Sequence, residues 1–154
     1  MSLLPAPTPV PAGVTPMTFG PAALGASLSV PTGWVDRGPA AGAQFSIRSV
    51  GQPVDFILAS SRPWTTTDAA AVALSRSTFL GRLDTTIASV TTGVVAGHPA
   101  ARLRYQITVG GQSARDVEYD ILTGSDVITI IIGTSQTRPD TALVNWIAST
   151  LNVQ

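Results

Sequence analysis

The stretch from Ala100 to Thr134 constrains the fold more than any other, because it reads as two β-hairpins in series. Ala101, Leu103, Tyr105, Ile107 and Val109 are apolar at every second position, and Arg102, Arg104, Gln106 and Thr108 lie between them. That is the period of a strand with one buried face. Beyond Gly110 and Gly111, Val117, Tyr119 and Ile121 alternate in the same way with Asp116, Glu118 and Asp120. Loop length decides how the two strands meet. A two-residue loop would set Leu103 opposite Glu118 and Tyr105 opposite Asp116, so acidic and apolar side chains would share a face. A three-residue loop, Gly110 to Gln112, sets Tyr105 opposite Val117 and Leu103 opposite Tyr119, with Arg104 facing Glu118 and Arg102 facing Asp120. The three-residue loop is the expectation, with its charge pairs neutralised on a partly solvated face. The next turn, Gly124 and Ser125, places Ile121 opposite Ile128 and Tyr119 opposite Ile130. Val127 to Ile132 is apolar at five of six positions, which predicts a central strand covered on both faces.

Six prolines within residues 1–22 favour extended polyproline backbone, so this stretch is expected to be a semi-rigid tether or tail, with one domain over 23–154. Three strands should open that domain: one around Leu28 and Val30, a second over Gln44–Ser49, and a third over Val54–Ser60 with Val54, Phe56 and Leu58 inward. Thr65 and Asp68 resemble a capping box ahead of a helix over Ala69–Leu80, with Val72, Ser75 and Phe79 on its apolar face beside Ala71 and Leu74, and with Gly81 as a left-handed stop. A strand from about Thr85 to Thr92 leads to the hairpins. Thr137 and Asp140 then cap a last helix whose Leu143, Trp146, Ile147 and Leu151 follow helical spacing. The order predicts an α+β fold, an antiparallel sheet of about seven strands flanked by two helices.

A domain of this length buries a core without staples, and none is offered: the 154 residues contain no cysteine. Nine arginines, with no lysine, balance nine acidic residues, so no net field favours nucleic acid or an anionic membrane surface. Schiff-base and thiolate chemistry are excluded. The longest apolar run is far short of the roughly 20 residues that span a bilayer as a helix. What is left for an enzyme is carboxylate, Ser, Tyr and Arg chemistry around a single histidine, and no G-x-S-x-G elbow marks a nucleophile.

His98, beside Pro99 in a glycine turn, could act as a base or a pH sensor, but it has no evident ligand or nucleophile partner. Asp116, Glu118 and Asp120 have the spacing to hold calcium or to supply an acid and a base; neutralisation by Arg102 and Arg104 is the simpler account. Gly110 and Gly111 precede a strand, not a helix, and so form no phosphate loop. The aromatic residues, Trp34, Trp64 and Trp146 with Phe45, Phe56 and Phe79, serve a core or an apolar pocket. Arg62, Pro63 and Trp64 form a loop ahead of a helix, where an exposed aromatic suits a partner surface. Trp34, Trp64, Arg62 and His98 are therefore the candidate ligand or partner residues, with no catalytic, cofactor or metal site expected.

SLSVPTGW, the long helix, GHPAARLRYQITVGGQ, the alternating strand pair and the closing amphipathic helix together resemble the PsbP-like fold, and within it the cell-envelope lipoproteins of the LpqN type. The resemblance covers residues 24–152. It rests on the order of elements, on Pro31, Gly33 and Trp34, and on the small residues Gly97 to Ala101. It implies an α/β/α sandwich outside the cytoplasm, tethered by its N-terminus, with a role in binding or assembly whose partner, a protein or a small apolar ligand, the sequence does not identify; the alternative is a carrier of a small apolar ligand between sheet and helix. No cofactor is implied. The lipid-bearing cysteine of such lipoproteins is absent here, which implies a chain cut after its signal, with any lipid anchor lying outside the sequence.

Overall fold

A computed structural model describes residues 1–154. Its strands are β1 Pro16–Phe19, β2 Ala26–Pro31, β3 Val35–Asp36, β4 Phe45–Arg48, β5 Phe56–Pro63, β6 Thr85–Val95, β7 His98–Val109, β8 Gln112–Leu122, β9 Asp126–Ser135 and β10 Asn152–Val153. The helices are α1 Ala69–Leu80 and α2 Thr141–Ser149. Seven strands form one antiparallel sheet in the order β3-β4-β5-β9-β8-β7-β6, and β1-β2-β10 form a smaller one. β9 is the central strand, as its apolar run predicts. Asp68 and Asp140 are themselves the N-caps: their carboxylates accept from Ala70 N and Leu143 N, each at 3.0 Å. Gly81 stays right-handed, with φ −64°.

The layers are α1, the seven-stranded sheet, then α2 with the small sheet. The main core lies on the α2 side, where Leu143, Trp146, Ile147 and Leu151 meet Val117, Tyr119, Ile121, Ile128, Ile130 and Ile132. A second core under α1 joins Val72, Ala73 and Leu80 to Ala101, Leu103 and Tyr105. Trp146 is only 3% exposed, as helical spacing on the sheet requires.

Besides Gly81, four expectations are corrected. First, the loop between β7 and β8 has two residues, Gly110 and Gly111, at φ 59° and 79°. Positive φ at both central positions is what a type I′ hairpin needs and what glycine supplies without strain. Leu103 therefore faces Glu118 and Tyr105 faces Asp116, while Arg104 and Arg102 face Val117 and Tyr119. The second hairpin keeps its expected register, Ile121 with Ile128 and Tyr119 with Ile130.

Second, residues 1–22 do not stand apart as a tether. β1 pairs along β2 from Pro16 to Phe19, and Leu3 is fully buried, with Leu3 N donating to Val94 O at 2.9 Å. Tight alternation of proline stops at Pro11, so Met17 to Phe19 are free to enter a ladder. Third, α1 buries Val72, Ala73 and Leu80, leaving Leu74 and Phe79 exposed. Fourth, Ile57 and Ala59 of β5 enter the main core, while Phe56 and Leu58 turn to the α1 side. Phe56 lies against Gly133, where an added Cβ would come within 2.6 Å of three ring atoms, so that close approach requires glycine.

Candidate functional site: the α1 face

The two-residue loop sends Asp116, Glu118 and Asp120 under α1, where they are 5%, 0% and 0% exposed. Three carboxyl groups in a core demand compensation. Arg76 of α1 supplies it: its Nε and Nη2 donate to Glu118 Oε2 and Oε1 at 2.6 and 2.9 Å, a bidentate pair. Tyr105 Oη donates to Glu118 Oε1 at 2.9 Å, and Thr129 Oγ1 to Asp120 Oδ1 at 2.7 Å. Burial opposes the Glu118 charge, but the bonds from Arg76 and from Tyr105 outweigh it and hold this carboxyl below its usual range. Burial, then the Glu118 charge, pushes Asp120 well above its range and favours its neutral form, and its Oδ2 has no partner in the chain. The same two causes push Asp116 up to about 7, and its Oδ1 has no hydrogen-bond partner. Burial works against the Arg76 cation, yet the bond to Glu118 raises its pKa. The cluster thus carries one locked ion pair and two carboxyl groups that favour the neutral form. Both Glu118 oxygens are bonded, whereas Asp116 Oδ1 and Asp120 Oδ2 are buried without a partner.

α1 lies over β6, β7 and β8 and leaves the other half of the sheet open. Between α1 and β5 runs a groove of about 520 Å³. Leu58, Val127, Thr129 and Ile131 make its floor, and Val72, Arg76 and Phe79 form the α1 wall. Arg62 and Trp64 are on the opposite rim, and residues 41–43 close one end. Phe79 is 47% exposed, and the Arg76 guanidinium lies 5.0 Å from its ring centroid, stiffening that wall. Arg62 Nη2 donates to Gly42 O at 3.1 Å, tying the rim to the closing loop. The Trp64 indole N–H has no acceptor in the chain.

Of the four candidate residues, the structure brings Arg62 and Trp64 together in this groove. Trp34 packs half-buried on the main core after β2, and His98 sits half-buried at the start of β7, paired with Val95; neither reaches the groove. Arg76 is the groove residue that the sequence does not single out; Phe79, read as serving a core or an apolar pocket, lies on the groove wall. A signal existed: Val72, Arg76 and Leu80 are spaced i, i+4, i+8, which places an arginine in the middle of the buried stripe.

A central antiparallel sheet with one helix on each face and an added small sheet defines the PsbP-like fold. The chain is similar to the cyanobacterial PsbP protein CyanoP of Synechocystis, at a TM-score of 0.68 and 18% identity over 96% of this chain and 98% of that one. It is also similar to LpqN of Mycobacterium tuberculosis, a protein involved in cell envelope biogenesis, at a TM-score of 0.61 and 17% identity over 95% and 89%. A protein of Bacteroides thetaiotaomicron aligns with a TM-score of 0.55 and 13% identity, over 89% of this chain and 48% of that one. No family model and no curated protein matches the chain. No helix is long and apolar enough to cross a membrane.

Proposed function

We propose that this chain is an extracytoplasmic binding or assembly domain without catalytic activity, which seats a protein partner in the groove beside α1. The observation that carries the reading is an apolar groove with an exposed Phe79 on one wall and Arg62 with Trp64 on the other. Exposed aromatic and arginine side chains around an apolar floor are the composition of partner surfaces. The likeness to LpqN, a protein involved in cell envelope biogenesis, supports placement outside the cytoplasm; attachment to the envelope, through a lipid anchor beyond this sequence, is part of the same proposal. The carrier reading keeps one observation in its favour: about 520 Å³ lies within the range of small-molecule sites. The open flank toward β5 and the arginine rim favour the protein partner.

A photo-crosslinking residue in place of Phe79, expressed in the native host, tests the reading. It should give a discrete protein adduct that the same residue in place of Val109, exposed at the far hairpin, does not give. An adduct of small mass would favour the carrier instead. Identical adducts from both positions would contradict a groove-specific partner.

A further inference from the structure

The loop that sends the acids under α1 sends Arg102, Arg104 and Arg115 to the other face of the same hairpin. Gln106 stands directly across from Arg115 and Arg104 across from Val117, so Arg104 and Arg115 are diagonal neighbours on one face. Between them and α2 lies a pocket of about 480 Å³. Tyr119 and Asn145 give it polar groups, the Thr134 hydroxyl at its border being held by Asp140 N and Ser135 O, and Val117, Val144 and Ala148 give it an apolar wall. Asp116 is the only acidic residue at its border, and strand alternation turns that carboxyl to the α1 side. Arg76 with Glu118 is the molecule's one ion pair, so neither Arg104 nor Arg115 has an acidic partner. Burial raises the Tyr119 phenol, while the nearby Arg102 and Arg104 charges act in the opposite sense, which places their positive field at the pocket. Like charges held side by side on a face without a counter-charge repel one another until an anion lies between them.

We propose that this pocket binds a small molecule bearing an oxyanion, a phosphate ester or a carboxylate, on a compact apolar body. Arg104 and Arg115 hold the anion, with the planar fork that suits such groups. Val117, Val144 and Ala148 take the body, and Tyr119 and Asn145 orient it. The site is on the face opposite the groove, so its test is independent of the partner reading.

Titration of the labelled chain with phenyl phosphate, followed by amide shifts, tests it. Tyr119, Thr134 and Asn145 should move, the shifts should weaken with added salt, and neutral phenol should leave them unmoved. Arg104→Gln with Arg115→Gln should raise the dissociation constant at least tenfold, while Arg82→Gln, an exposed arginine outside the pocket, should leave it unchanged. Arg104→Gln alone, at an exposed strand position, serves if the double variant does not fold. Unchanged binding in the arginine variants, equal shifts with phenol, or no shift at millimolar phenyl phosphate would overturn the proposal. So would equal affinity for a penta-glutamate peptide, which would assign this face to a protein.

Discussion

At Asp116, burial and the neighbouring Glu118 charge move the carboxyl from its ordinary 3.8 up to about 7, so the folded chain keeps a proton that the unfolded chain has lost between those values. The folded state then binds more protons than the unfolded state, and stability falls as pH rises from about 4 through 7. The urea midpoint of the parent should decline over that window, whereas Asp116→Asn should lack this share of the decline. Parallel pH profiles for the two would contradict the assignment. Arg76 is the complementary case, because removing it leaves Glu118 charged and buried with only Tyr105 to bond it. Arg76→Met should cost about 3–5 kcal/mol in urea unfolding. A loss below about 1 kcal/mol, the usual value of an exposed pair, would place the guanidinium in solvent instead.

Among the elements, the long periodic segments were legible and the buried polar ones were not. The bounds of α1 follow from its alanine-rich composition, and the closing helix follows from Leu143, Trp146, Ile147 and Leu151. Trp146→Ala should cost about 3–5 kcal/mol, since a 3% exposed indole seals α2 to the sheet. An unchanged denaturation midpoint would detach that helix. The register of β7 on β8 was misread for one physical reason. A face shared by Leu103, Tyr105, Asp116, Glu118 and Asp120 looks inconsistent until an arginine from another element enters it. The same arginine hid the inner face of α1, because counting Arg76 as solvent-facing rotates the apparent stripe toward Leu74 and Phe79. A long-range ion pair, 42 residues apart in sequence, leaves no local pattern on either partner. The groove is half legible for the same reason: Arg62 and Trp64 stand in a recognisable loop, while the sequence leaves Phe79 between a core and an apolar pocket.

For the whole molecule, the proline-rich start is part of the fold. Met1 to Leu3 lie along β6, the otherwise open edge of the large sheet, with Val94 N donating to Met1 O at 2.9 Å and Arg102 Nη1 donating to Leu3 O at 2.8 Å. An unpaired edge invites pairing with other chains, so this segment protects as well as packs. Leu3→Ala should cost about 2–5 kcal/mol, and a value near zero would return the segment to the role of a loose tail. One hairpin also divides the charges of the molecule, with carboxyl groups inward beneath α1 and arginines outward beside α2. Both proposed binding faces depend on that division, the groove through the Arg76 bracket and the proposed oxyanion pocket through Arg104 and Arg115. Double-mutant cycles in urea test it most directly, pairing Glu118→Gln once with Arg76→Met and once with Arg104→Gln. A coupling of about 1–3 kcal/mol is expected between Arg76 and Glu118, and none beyond about 0.5 kcal/mol between Arg104 and Glu118. Strong coupling of Arg104 to Glu118 with none from Arg76 would contradict it, restoring the three-residue loop and the solvated charge face.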